Sequence, residues 1–435
     1  MNVKRILSLV LTLAMVLSLA ACGGKKEEAP AETPAAPSDA PAEAPADEGI
    51  DLGVDVVKIG FCGALTGPSA NMGEAIVQGI EMAVEDINAA GGIAGVPLEY
   101  VTRDDEADAT KNLTGVEELL YKEEIDWLLG APNSGACGAS LDIVCEEEVP
   151  EIIVTATSAA LIDPVKYPYV FRTTSTNFLQ AGGLVLSAKE GGYKKIVAVG
   201  DTTDLGKDGF NSTKHYAEEL GVEIVDYISY VANDADLSAV AQAVANAEAD
   251  CIIAWTLSAD AAKVVKALER IDYLDDVTIL GYSGLNQPKF YEMTGGADLS
   301  KVTYIGATAG LVMEKGAEKL EDKYQSFYDK VSEKYGEYKA DGSGRVTVIA
   351  DAMRAYDSIY LLKWLVEEKT HSLDGAALKE AIETYARDYD SLWTNNCYDI
   401  SADKHEGFDL ADHAVCSMDT PLVNDYVFGD IAWKA

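Results

Sequence analysis

From Val54 onward the chain repeats one pattern: a short apolar run, a turn, then apolar residues at helical spacing. Residues 56–61 form a mostly apolar stretch. Ile76, Ile80, Ala83, Val84 and Ile87 then recur three and four apart, which marks one face of a helix. Ala90-Gly91-Gly92 is a glycine stop. The pattern predicts further strands at 97–102, 125–129 and 152–155, with helices at 109–122 and 139–148. Apolar strands separated by amphipathic helices are βαβ units, so the sheet they form is parallel and covered on both faces.

A second series begins after Phe171-Arg172-Thr173-Thr174. Strands are expected at 195–199, 223–230, 251–255, 277–280 and 304–308, with helices at 210–220, 237–247 and 259–271. Two long helices, 316–335 and 346–368, precede a short strand-like end from Cys397. The 435 residues are too many for one ordinary core and enough for two α/β lobes.

The first 53 residues are different material. Lys4 and Arg5 precede an apolar run at 6–19, the layout of a secretory signal, and the run is too short to span a membrane comfortably. Leu19-Ala20-Ala21-Cys22 resembles the bacterial lipobox, which makes Cys22 the expected lipid attachment point and 1–21 the signal. Residues 22–53 are then an anchor and linker. They are rich in Ala, Pro and Glu, carry Pro30, Pro34, Pro37, Pro41 and Pro45, and have no apolar period that would bury a core. The expected location is the outer face of a bacterial cell membrane.

The formal charge of −39 argues against nucleic acid and against docking on anionic lipid. Six cysteines follow Cys22 at wide spacings, without a CxxC. Cys137 and Cys145 are too far apart on a helix to bridge, whereas Cys397 and Cys416 could face each other across a late strand pair.

In open parallel sheets, ligands bind beyond the carboxyl ends of the strands. The loops at issue are 63–72, 130–136, 155–160, 201–205, 256–258 and 281–287. They hold small and hydroxyl residues, a composition suited to hydrogen-bonded capture rather than chemistry. Enzyme signals are poor. His215, His371, His405 and His413 avoid these loops, His405 and His413 falling in an acidic late loop. Gly281-Tyr282-Ser283-Gly284-Leu285 lacks the last glycine of a nucleophile elbow. Gly200 to Asp208 misses the phosphate-loop spacing, and Lys404 replaces the glycine that a calcium loop around Asp399, Ser401 and Asp403 would need. No enzyme, metal or cofactor is expected.

Two passages carry a family resemblance: Ile59-Gly60-Phe61-Cys62-Gly63-Ala64-Leu65-Thr66-Gly67-Pro68, and Asp86-Ile87-Asn88-Ala89-Ala90-Gly91-Gly92-Ile93 with Arg103-Asp104-Asp105 beyond it. Together they resemble the branched-chain amino-acid-binding branch of type I periplasmic binding proteins. Ala355-Tyr356-Asp357-Ser358-Ile359-Tyr360-Leu361-Leu362 matches the family's late helix. The resemblance implies two Rossmann-like lobes with parallel sheets, joined by three hinge crossings near 173–177, 306–309 and 392–396. It divides the chain into lobe 1 (54–173 plus 308–394) and lobe 2 (174–307 plus 395–435). It implies a monomer that closes on a small-molecule solute, an amino acid or a related compound, and hands it to an ABC permease.

Residue by residue, Ser134, preceded by Asn133, matches the Ser that meets the ligand carboxylate. Thr157, Ser158 and Ala159 occupy the next ligand loop, with Ala159 where the family carries Thr. Met72 and Leu205 replace two tyrosines, and Leu257 lies in the loop after a second-lobe strand. The Glu that meets the ligand ammonium falls at Ser283. The family's cysteine pair falls at Ala107 and Asn133, so its disulfide is not expected. A buried ammonium requires a partner, so either another acid serves, with Asp204 and Asp351 the candidates, or the solute is not an α-amino acid. A sensor ectodomain and a lipid-anchored enzyme are the competing readings. Fold alone does not separate transport from sensing.

Overall fold

The computed structural model describes residues 49–307, 313–314, 320–336, 349–394, 397–419 and 423–427. The signal, Cys22 and most of the linker lie outside the described residues, as do parts of the second and third expected crossings.

The first sheet contains β1 (Val57–Gly63), β2 (Leu98–Asp104), β3 (Trp127–Leu129), β4 (Glu151–Ile153) and β5 (Val170–Arg172), in the order β2-β1-β3-β4-β5. Every pairing is parallel. The second contains β6 (Ile196–Asp201), β7 (Ile224–Tyr230), β8 (Cys251–Trp255), β9 (Thr278–Gly281), β10 (Val302–Ala307), β11 (Met313–Glu314), β12 (His413–Ser417) and β13 (Val423–Val427). Its order is β11-β13-β12-β10-β9-β8-β6-β7. Parallel pairing runs from β7 through β6, β8 and β9 to β10. Beyond β10 the sheet turns mixed, because β12 pairs antiparallel with β10 and β13.

The helices are α1 (Ala70–Ala89), α2 (Ala109–Glu118), α3 (Ser134–Cys137), α4 (Leu141–Glu146), α5 (Asn177–Glu190), α6 (Asp204–Leu220), α7 (Ser238–Asn246), α8 (Ser258–Arg270), α9 (Pro288–Thr294), α10 (Asp322–Tyr335), α11 (Ile349–Leu365) and α12 (Gly375–Tyr385). The expected stripe on α1 is fully in the core, and Gly91 and Gly92 end that helix at φ 105° and 89°. Helix α1 packs directly on α11, so closely that a Cβ on Gly79 would lie 2.1 Å from the Ala352 carbonyl oxygen. The expected helix 139–148 is instead α3 and α4. Ser140 interrupts it, its hydroxyl donating to Asn112 Oδ1 at 2.9 Å.

Asp357 ties α11 to the segment that follows α12. Its buried carboxylate accepts from Tyr389 Oη at 2.8 Å, Ser391 Oγ at 2.7 Å, the Leu392 backbone at 2.9 Å and the Tyr398 hydroxyl. Several hydrogen bonds to one buried charge offset its desolvation.

The packing departs from the expected lobe boundaries in two places. β11 belongs to the second sheet, because the chain adds one more strand pairing there after β10. Tyr398, Ile400 and Phe408 pack into the first lobe's core, so the apolar side chains of this segment stay with that lobe until His413 opens β12. The suggested Cys397–Cys416 bridge is not made: Cys397 carries a free thiol, and the Cys416 thiol is turned toward the Ala414 carbonyl. His405 and His413 are not loop surface. Both are buried, His405 stacked on Phe171 at 4.2 Å, because this late segment threads between the lobes.

Candidate functional site

A cavity of about 820 Å³ lies between the two sheets. Its walls are the carboxyl ends of strands from both, where a doubly wound fold presents its loops. The first lobe contributes Met72, Asn133, Ser134, Thr155 and Thr157. The second contributes Asp201, Asp204, Leu205, Leu257, Tyr282 and Ser283. The hinge contributes Thr174, Ser175 and His413.

Ser134 is the first residue of α3, and its hydroxyl accepts from the Ser158 backbone at 3.3 Å. The Asn133 side chain donates through Nδ2 to Ser69 Oγ at 3.0 Å, while its Oδ1 is buried without a partner among the described residues. That orphaned acceptor is available to a ligand donor. Thr157 is buried in the wall, and its carbonyl accepts from Asn177 across the first crossing at 2.8 Å.

Two expected residues do not line the cavity. The Ser158 hydroxyl accepts from Ala160 at 3.4 Å to start a single turn of 3-10 helix, and its carbonyl accepts from Arg172 at 2.8 Å. The Ala159 backbone donates to Asp208 Oδ2 at 3.1 Å, a bond between lobes. Local turn chemistry and the lobe contact occupy both. Thr157 therefore holds the wall position in this loop.

Asp351 is in the wall, not facing solvent. It pairs with Arg354 one turn along α11, and Arg354 also donates to the Val154 carbonyl and lies 4.7 Å from the Trp393 ring centre. Burial raises the Asp351 carboxyl and lowers the Arg354 guanidinium, each opposed by the other's charge. Asp204, in the first turn of α6, is largely exposed and 3.9 Å from Lys207.

His413 donates or accepts through Nε2 at 2.5 Å from Ser175 Oγ and through Nδ1 at 2.8 Å from the Asp409 carbonyl. Burial lowers its pKa to about 4, so the imidazole is neutral near pH 7. Across the mouth, Asn71 Nδ2 donates to Gln287 Oε1 at 3.1 Å, and Ser258 Oγ donates to the same oxygen at 3.1 Å.

Asp201, Ser258 and Gln287 lie within strand-end loops that the sequence marks out, so position alone was their signal. Arg354 is three residues beyond Asp351. Trp393 and His413 reach the cavity from the last crossing, whose path no local periodicity reveals.

Residues 56–410 match the family model described as periplasmic binding protein. The chain belongs to the periplasmic binding protein family. A curated member, the leucine-, isoleucine-, valine-, threonine- and alanine-binding protein of Pseudomonas aeruginosa, is 30% identical over 187 residues, covering 42% of this chain and 49% of that one. The chain thus spans about half the length of the first curated relatives it matches. Among solved members of this fold, the branched-chain amino acid transporter substrate-binding protein of Streptococcus pneumoniae, in complex with isoleucine, superposes with a TM-score of 0.70 at 23% identity, over 83% of this chain and 96% of that one. An R. palustris ABC-transporter solute-binding protein in complex with 4-hydroxybenzoate gives 0.71 at 18% identity, over 86% and 96%. At such identities these periplasmic binding proteins share a fold and bind unlike solutes.

Proposed function

We propose that this chain is the extracytoplasmic solute-binding lipoprotein of an ABC importer, holding an amino acid or related small polar compound between its lobes. The observation that carries the proposal is the 820 Å³ cavity at the strand ends of both sheets. It is within the size range of small-molecule sites and mixes apolar walls with a few placed polar groups. The names of the related amino-acid binders support the choice of solute class.

In this reading the chain works as a monomer and the lobes close about the three crossings. Closure is a population shift: solute that touches both walls favours the state in which both are near. The Ser134 and Thr157 hydroxyls and Asn133 Oδ1 supply first-lobe hydrogen bonds. Met72, Leu205 and Leu257 supply apolar contact. The bound solute is then passed to a membrane permease. Residues 22–53, with lipid on Cys22, tether the receptor near that permease while leaving it free to turn. A chain rich in Pro extends at ~3.1 Å per residue, so residues 23–49 would reach on the order of 80 Å if fully extended.

Isothermal titration against a panel of amino acids, amides and small carboxylates tests the reading. One-to-one binding of at least one compound is expected, and silence across the panel would sink it. For the anchor, Cys22→Ser should move the protein from the membrane fraction to the soluble fraction of its native host. Unchanged membrane association would remove lipid on Cys22 from the account.

A further inference from the structure

One carboxylate of the cavity wall has no base beside it among the described residues. Among the described residues the wall carries five carboxylates and two basic side chains. Glu106 pairs with Lys111 at 2.5 Å. Asp204 is exposed and beside Lys207. Asp260 pairs with Lys263 at 2.7 Å. Asp351 and Arg354 neutralise each other. The remaining wall base, Lys289, faces Glu292 at 2.9 Å. Asp201 is left. It ends β6, is 2% exposed, and has no basic partner among the described residues. Its hydrogen bonds come from neutral donors of its own turn and of the start of α6: the Thr203 backbone at 2.9 Å, the Thr203 hydroxyl and the Gly206 backbone.

Those neutral donors offset part of the desolvation of Asp201, but no opposite charge stands beside it, and a cation in the cavity would supply one. Burial raises the Asp201 carboxyl against the pull of the Thr203 and Gly206 hydrogen bonds. The Asp260 carboxylate of the same wall pushes it in the same direction. Arg354 offers no opposite preference, since Asp351 already neutralises it.

Resting on the solute-receptor reading, we propose that Asp201 pairs with a cationic nitrogen of the solute, so that the receptor takes protonated amines, amino acids included, and rejects neutral or purely anionic acids. Asp201 thereby takes over what neither Ser283, which has no charge, nor Asp204 and Asp351, which already have bases beside them, is free to do.

The test uses the wild-type protein and matched triplets built on aliphatic, aromatic and amide skeletons. Each triplet holds an amino acid, the amine without its carboxylate, and the acid without its amine. Calorimetry should find at least one triplet in which an amine-bearing member binds and the deaminated acid is weaker by about 30-fold or more, the scale of one lost buried charge pair. Asp201→Asn keeps one acceptor for Thr203 and should weaken that binding by a similar factor in a protein that still unfolds cooperatively. A deaminated acid binding as well as its amino acid overturns the inference and leaves the receptor reading standing. So does full affinity in a folded Asp201→Asn protein. If that variant does not fold, the wild-type triplets decide alone. If no compound of any triplet binds, both readings fall together.

Discussion

Asn71 on α1 and Gln287 ahead of α9 meet across the mouth of the cavity, Nδ2 to Oε1 at 3.1 Å, and so fasten the first lobe to the second. Ser258 donates to the same Gln287 oxygen and holds it in place from its own lobe. The bond exists only when the lobes are together, so its free energy counts entirely toward closure.

Asn71→Ala should therefore loosen the closed state without touching the solute. One such hydrogen bond contributes about 0.5–1.5 kcal/mol net. The expected result is a roughly 2- to 10-fold weaker affinity, expressed mainly as faster solute release. Stopped-flow dissociation checks this. An unchanged release rate would mean that the contact has no part in closure.

Asp357 should matter to folding and not to recognition. Replacing it with Ala strands the Tyr389, Ser391 and Tyr398 hydroxyls and the Leu392 backbone in a buried place. A loss of about 3 kcal/mol or more is expected. Asp357→Asn keeps one acceptor oxygen and should fall between. Urea unfolding of the two variants against wild type gives the order, and equal stability of all three would contradict it.

Glu151 gives a pH signature. It is buried at the start of β4, with only the Cys137 thiol donating to its side chain among the described residues, at 3.5 Å, and burial lifts its pKa from the ordinary 4.5 to about 8. Between those values the folded chain keeps a proton that the unfolded chain releases. This contribution to stability is thus full below about pH 4.5, falls as pH rises through that window, and is gone beyond about pH 8. Glu151→Gln has no proton to lose. Relative to wild type it should gain a few kcal/mol between pH 5 and pH 9, by the linkage of protonation to folding. Parallel pH profiles for the two proteins would count against it.

Much of this molecule is legible in its sequence because the two series of strands and helices are strongly periodic. The stripe on α1 and its Gly91-Gly92 stop are local signals that tertiary structure leaves alone. Helix α5 is not legible in that way: Ala181, Gly182, Gly183, Leu184, Val185 and Ala188 bury it on most sides, and no polar face gives it a period. The last crossing is the other failure. Nothing local says that His405 and His413 are drawn inside, since what buries them are Phe171, Val170 and Ser175, more than 230 residues away. The site divides in the same way. Strand-end position places Ser134, Thr157 and Leu205 on the wall, whereas the pairing of Asp351 with Arg354, and the isolation of Asp201, are facts of three-dimensional neighbourhood.

The most direct measurement is calorimetric titration of wild type and Ser134→Ala with the solute that co-purifies, identified by mass spectrometry. The account predicts one site per chain, and a loss of about 1–3 kcal/mol when the Ser134 hydroxyl no longer meets a buried ligand group. Equal affinity in a folded Ser134→Ala protein, or no saturable binding in wild type, would contradict capture between the lobes.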